Sequence, residues 1–134
     1  AMQLAINEAG IALEQVDYIN THGTSTPIGD VAEVKAIQDL FGKHAYYINL
    51  TSSKSMTGHI LGGTGAVEAI ISILSMQHGI VTPTINHEEE DEDPNIDYKL
   101  NFTFNQAQQR EIRYAMSNNF GFGGHNACLL FKRI

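Results

Sequence analysis

Apolar positions recur at helical spacing in AMQLAINEAG, where Leu4, Ile6 and Ala9 precede Gly10, a residue suited to closing a helix in the left-handed conformation. Val16 to Asn20 then reads as a short buried strand. Val31, Val34, Ile37 and Phe41 space out an amphipathic helix that stops at Gly42, and Asp30 with Glu33 three residues on gives it a capping-box start. Tyr46 to Leu50 predicts a second strand. From Thr64 to His78, Ala66, Val67, Ala69, Ile70, Ile71, Ile73, Leu74 and Met76 cover nearly every side, the pattern of a helix buried all round. Only Glu68 interrupts it, and a carboxylate there needs a partner or a proton. Tyr98 to Phe104 follows neither period, while Glu111 to Ser117 and Ala127 to Lys132 predict two closing strands around NNFGFGGHN. Strands alternating with helices, with polar loops at the strand ends, indicate an α/β layer fold. Binding and catalytic groups in such folds collect at the carboxyl ends of the strands.

Composition narrows this picture. At 134 residues, 43% hydrophobic and 17% charged, the chain has the make-up of one globular domain. No apolar run approaches the roughly 20 residues of a membrane helix, and no secretory signal opens the chain, so the expected setting is cytoplasmic. The first helix has no lead-in or capping residue, which suggests a chain cut from something longer. The net charge of −7 is concentrated in EEEDED, Glu88 to Asp93, a like-charged block that reads as a solvated loop. His87 beside it could be a ligand, but the same reading covers it. Without a Lys/Arg cluster the chain does not look like a nucleic-acid binder. One cysteine, Cys128, excludes an internal disulfide and every CxxC motif.

The chemistry lies in three polar loops. THGTSTPIGD supplies His22 with Thr24, Ser25 and Thr26; TSSKSMTGHILGG supplies Lys54 and His59; NNFGFGGHN supplies backbone N–H groups around Phe120 to Gly124. Two neutral imidazoles that converge could donate hydrogen bonds to one developing oxyanion, and glycine-rich amides could do the same. That set suits acyl-transfer or enolate chemistry. GxSxG, the P-loop and HExxH are absent, GGTG and GFGG are not a dinucleotide fingerprint, and the six histidines have no compact metal-ligand spacing. Cys128 falls among apolar residues of a predicted strand, where a buried thiol is unreactive. The chain therefore offers histidines and a lysine but no nucleophile.

In order, THGTSTPIGD, SSKSMTGHILGGTGAVE and SNNFGFGGHN resemble the β-ketoacyl-acyl-carrier-protein synthases, most closely those of the synthase II type. The resemblance spans nearly the whole chain. It implies a thiolase-like fold in which two similar halves, each a mixed β-sheet packed between helix layers, stack together. The helix at Thr64 would lie between two sheets in the whole protein and show one bare apolar side, prone to self-association, in this half alone. Residues 1 to 134 are then the C-terminal thiolase-like domain, without the first strand of that half, and the acylated cysteine lies in the other half. Position by position, His22 and His59 match the two histidines that donate to the malonyl thioester oxygen as carbon dioxide leaves. Lys54 matches the motif lysine and Glu68 its carboxylate partner. Phe120 matches the gating phenylalanine whose N–H joins the oxyanion hole, Gly121 follows it in the substrate-binding turn, and Thr24 and Thr26 match hydroxyls that hold the phosphopantetheine arm. His125 stands where many relatives have threonine.

The function this implies is decarboxylative condensation of malonyl-carrier protein with an acyl-enzyme in fatty-acid elongation. The implied partners are acyl carrier protein, the chain's own N-terminal half and a second copy in a homodimer, with no nucleic acid and no membrane. No cofactor and no metal is implied, because phosphopantetheine arrives on the substrate. Two other readings stay open at this level: a non-catalytic fragment or assembly module, and half of a cysteine-less decarboxylase or chain-length-factor relative.

Overall fold

The structure is a computed structural model, and it describes all of residues 1–134. Helix α1, Met2–Ala9, ends as expected at Gly10, whose φ of 64° is the left-handed value that glycine adopts without a Cβ clash. Met2 and Ile6 are its buried positions, one turn apart, and Leu4 between them is 71% exposed rather than part of the inner face. Helix α2, Pro27–Phe41, begins three residues before the expected Asp30. Pro27 occupies its first turn, where a missing N–H costs nothing, and Thr26 stands at the cap with an extended backbone. Asp30 and Glu33 therefore lie inside the helix, and no capping box forms there.

The main sheet has four strands in the order β2-β1-β5-β6. Strand β1, Tyr18–Asn20, pairs in parallel with β2, Asn49–Thr51, and with β5, Tyr114–Gly121. Strand β6, His125–Lys132, closes the sheet antiparallel to β5. The expected α/β class with a mixed sheet is thus what forms, with shifted boundaries. Strand β2 starts later than Tyr46 because Gly42–Tyr47 winds into a 3₁₀ helix, and a single-turn helix, α3, Lys54–Thr57, follows β2. The glycine-rich segment is mostly strand, and only Phe122–Gly124 turns the hairpin, with Gly123 and Gly124 both at φ 81°. A second small sheet pairs β3, Ile80–Val81, with β4, Gln108–Gln109. Tyr98 to Phe104, which had no legible period, meets the framework through single bridges from Phe102 to Leu50 and from Phe104 to Thr84.

Side chains alternate across the sheet. Ile19, Leu50 and Met116 face α1 and α2 and form the larger core with Met2, Ile6, Val34, Ile37 and Phe41. Tyr18 and Ala115 face the other way, toward Met76 of α4, Thr64–His78. As expected of this half by itself, one side of α4 is bare, and the structure shows which side it is. Its buried positions are Thr64, Glu68, Ser72, Ser75 and Met76, whereas Ile70, Ile73 and Leu74 are 56%, 36% and 45% exposed. The sheet face beneath it carries the Tyr18 hydroxyl, 2.9 Å from that of Thr51, and Ser117 beside them, and the inward carboxylate of Glu68 finds Lys54 and Asn119 as its partners. The apolar stripe is left uncovered in this chain. No helix is long and apolar enough to cross a membrane.

Candidate functional site

Strands β1, β2 and β5 run in parallel, so the segments that follow them emerge at one end of the sheet. The loop after β1 carries His22, the loop after β2 carries Lys54 and His59, and the end of β5 carries Phe120. These loops are stitched together by hydroxyl and amide groups. Thr21 donates both its N–H and its hydroxyl to Thr51 O, at 2.7 and 2.9 Å, and Ser52 Oγ donates to Gly23 O at 2.6 Å. Asn20 Nδ2 donates to Ser53 Oγ at 3.0 Å beneath them. A Cβ at Gly23, φ 36°, would lie 2.6 Å from Thr21 Oγ1 and 2.8 Å from Ser52 Cβ, so only glycine fits.

His22 and His59 converge, their ring centroids 5.6 Å apart and edge to face. Phe120 packs on the other side of His22, 5.3 Å between centroids. Burial and the nearby charges of Lys54 and His59 push the His22 pKa down to about 4, so this imidazole is neutral at physiological pH. Its Nδ1 is buried with no hydrogen-bond partner. His59 Nδ1, in contrast, accepts from Leu61 N–H at 3.1 Å and from the Thr64 hydroxyl at 3.2 Å. Ser25 and Leu61 hold φ of 60° and 52°, a left-handed backbone that non-glycine residues adopt at a cost of about 1–3 kcal/mol. One such residue follows each histidine.

Lys54 Nζ donates to Glu68 Oε1 at 2.5 Å, with the lysine side chain 6% exposed and the glutamate fully buried. Burial raises the Glu68 pKa, and the lysine and the Asn119 amide, which donates to Oε2 at 3.1 Å, oppose that shift. The pair anchors the second loop to α4, which resolves the isolated acid in the apolar pattern.

The sequence reading missed a second carboxylate of the same kind. Glu33, 3% exposed, accepts from the backbone N–H of His22 and of Gly23, each at 3.0 Å, and from Asn118 Nδ2 at 3.0 Å. Burial raises its pKa while those three donors resist the shift. Asn118 and Asn119 are consecutive strand residues and so point to opposite faces, one to Glu33 on α2 and the other to Glu68 on α4. The only sequence signal was NN ahead of the glycines, and an acid in the second turn of a helix looks like a capping residue. Replacing Glu33 with glutamine puts an NH₂ opposite a backbone donor, and we expect the full-length protein to lose about 1–3 kcal/mol of stability in urea unfolding. The same variant should lose activity through the displaced His22 loop, whereas unchanged unfolding and rate together would make Glu33 a bystander.

Tyr114 N–H and C=O both face Asp17 on the β1 side, at 3.2 and 3.0 Å. Alternation along the strand puts Phe120 N–H on that same side, and β1 is paired with β5 only as far as Ser117. Gly121 is paired with His125 at the hairpin end. A cleft of about 460 Å³ opens beside His59, and Thr24, Ser25, Lys54, His87, Tyr98 and Phe104 are among the residues that line it. His22, Phe120 and Thr26 lie outside its lining; Thr26 Oγ1 is 3.3 Å from Thr24 Oγ1. His87 packs on Phe104 at 3.6 Å between centroids, with Nε2 3.3 Å from Glu92 Oε1. Cys128 sits in β6, half-buried, and burial raises its thiol pKa to about 11, far from a reactive thiolate.

The family model for the β-ketoacyl synthase C-terminal domain matches residues 1–88. The chain is 52% identical over all its 134 residues to 3-oxoacyl-[acyl-carrier-protein] synthase 2 of Staphylococcus aureus (strain COL), spanning 31% of that protein. It is 48% identical over 133 residues to the synthase of the same name from Coxiella burnetii, again covering 99% of this chain and 31% of that protein. Among solved structures, a β-ketoacyl synthase from Burkholderia phymatum STM815 superposes with a TM-score of 0.90 at 41% identity, over 99% of this chain and 31% of the other. A type II polyketide ketosynthase in complex with its acyl-carrier protein gives a TM-score of 0.92 at 32% identity, over 99% and 32%. The fold is accordingly the mixed α/β, thiolase-like fold of the ketosynthases.

Proposed function

The chain belongs to the β-ketoacyl synthase family, and from that premise we propose that it is the C-terminal catalytic half of a 3-oxoacyl-[acyl-carrier-protein] synthase II. The observation that carries the reading is the convergence of His22 and His59, rings 5.6 Å apart, at the carboxyl ends of adjacent parallel strands. The reaction is decarboxylative condensation. As carbon dioxide leaves a malonyl thioester, the electron pair of the broken C–C bond moves into an enolate whose negative charge sits on the thioester oxygen. Two neutral imidazoles donating N–H to that oxygen stabilise the charge where it develops, in a site whose dipoles are already oriented. The enolate carbon then attacks an acyl-thioester on a cysteine that this chain does not supply, forming the new C–C bond as the acyl C–S bond breaks and the sulfur leaves as the cysteine thiolate. Phe120 N–H, on the β1 side beyond the last pair, serves the second oxyanion in this reading, and the open position of that amide supports it.

Lys54 and Glu68 act by fixing the loop that carries His59. Thr24, on the cleft wall, holds the amide-rich arm of the substrate, with Thr26 and Gly121 bordering its path. Acyl carrier protein delivers the malonyl group, so no bound cofactor is needed. The remaining half of the enzyme and a second copy complete the assembly, which works in the cytoplasm. In the full-length protein, Cys128→Ala should leave condensation unchanged, and intact mass after incubation with acyl-carrier-protein thioester should show one acyl group at a residue outside this chain. Acylation of Cys128 itself would overturn the assignment.

A further inference from the structure

The two histidines are held differently, and the difference lies in one hydroxyl. Thr64 opens α4 and is 2% exposed. Its Oγ1 accepts from Ile60 N–H at 3.0 Å, which occupies an oxygen lone pair and leaves the hydroxyl proton free to point elsewhere. His59 Nδ1 lies 3.2 Å away. Leu61 N–H also donates to that nitrogen, at 3.1 Å, so Nδ1 must carry a lone pair and the Thr64 hydroxyl must be the donor. A neutral imidazole that accepts at Nδ1 carries its proton on Nε2. Two donors reaching one ring nitrogen from different elements also define the orientation of the ring, which a single bond does not.

Resting on the functional reading above, we propose that Thr64 is a positioning residue: its hydroxyl, held by Ile60 N–H, adds a second donor to the Nδ1 that Leu61 N–H already keeps unprotonated, and so aims the Nε2–H of His59 at the thioester oxygen. Thr64 touches no substrate and acts only through His59. The cost of aiming the ring is met before substrate arrives, in part by the left-handed backbone of Leu61, φ 52°, that turns its amide onto Nδ1. His22, whose Nδ1 has no partner, lacks such a constraint. The loop sequence GHILGGTG thus joins the histidine to its own support five residues on.

The test is decarboxylation of malonyl-carrier protein by the full-length enzyme, with kcat and KM measured separately. Thr64→Val keeps the shape and removes the hydroxyl; kcat should fall about tenfold, the worth of one hydrogen bond, with KM within about twofold. Thr64→Ser retains the hydroxyl and should recover most of the rate. In a His59→Ala background, Thr64→Val should cost nothing further, because both changes remove the same donor. Equal losses in the valine and serine variants would overturn the proposal, as would a further loss on top of His59→Ala, since either would assign Thr64 to the fold and not to the histidine. If the valine variant does not fold, the serine variant and Thr64→Ala still decide between hydroxyl and shape. Should His59→Ala itself leave decarboxylation intact, the functional reading fails; should it abolish the rate while Thr64→Val does not, only the role of Thr64 fails.

Discussion

Removing either imidazole, by His22→Ala or His59→Ala in the full-length enzyme, should lower the rate of malonyl decarboxylation by about 10²–10³-fold, the usual worth of one preorganised oxyanion donor. The losses in the double variant should fall short of the product of the single losses, because in the proposed mechanism the two rings, 5.6 Å apart, serve one oxygen. Both variants should fold normally, since each ring faces the open end of the sheet and not the core. The pH profile separates the two. With its pKa lowered to about 4 by burial and by the charges of Lys54 and His59, His22 remains a neutral donor through the physiological range. A depressed pKa favours the neutral folded form: that contribution to stability is complete above the ordinary histidine value of about 6.5 and is lost as pH falls toward about 4. The acidic limb of the rate profile that disappears in His22→Ala should therefore lie near pH 4. A limb near 6.5 that vanished with His22 would contradict the environment described for it.

Lys54→Met should destabilise the protein by about 3–5 kcal/mol at neutral pH, the penalty for leaving a buried carboxylate without its counter-ion. Glu68 is fully buried, and only Asn119 Nδ2 would remain to it. Its pKa is already raised by burial with the lysine opposing the shift, so loss of the lysine raises it further and the carboxyl takes up a proton. The sign follows. A raised carboxyl pKa makes the folded state hold a proton that the unfolded state releases, so the variant's deficit should shrink as pH falls and grow as it rises. Urea unfolding of the full-length enzyme at pH 5 and pH 8 measures this. Adding Glu68→Leu to Lys54→Met should recover most of the stability, because apolar packing replaces the charge, yet leave the enzyme slow through a misplaced His59 loop. A Lys54→Met variant as stable as the parent at pH 8 would mean that the pair contributes nothing to the fold.

Much of the site was legible because its residues are unusual in type and local in spacing. Histidines inside Gly/Ser/Thr loops at strand ends have no packing role to hide in, and Glu68 stood out as the one carboxylate in a largely apolar helix. Glu33 was illegible for the opposite reason. Three residues after Asp30 it matched a capping box, and nothing local says that the chain starts its helix at Pro27 and turns Glu33 back to bind the amides of His22 and Gly23. Asn118 and Asn119 were hidden likewise, since their partners lie 85 and 51 residues away. Thr64 looked like the first residue of a helix, and its partner became visible only when the backbone of Leu61 folded over the ring.

Local pattern determined the class of fold, the number of main elements, the glycine that ends α1, and the presence of two histidines and a lysine in the polar loops at the strand ends. These follow from periodicity, from side-chain chemistry and from φ preferences, all of which act within a few residues. Tertiary structure alone decided which way α4 faces, where the strands begin and end, and which carboxylate holds which loop. Those outcomes depend on what each side chain meets across the sheet. An apolar stripe looks the same in sequence whether it lies on a core or in the open. On α4 the buried side carries Glu68, held by Lys54 and Asn119, with Ser72 and Ser75 along the same face, and Ile70, Ile73 and Leu74 lie outside.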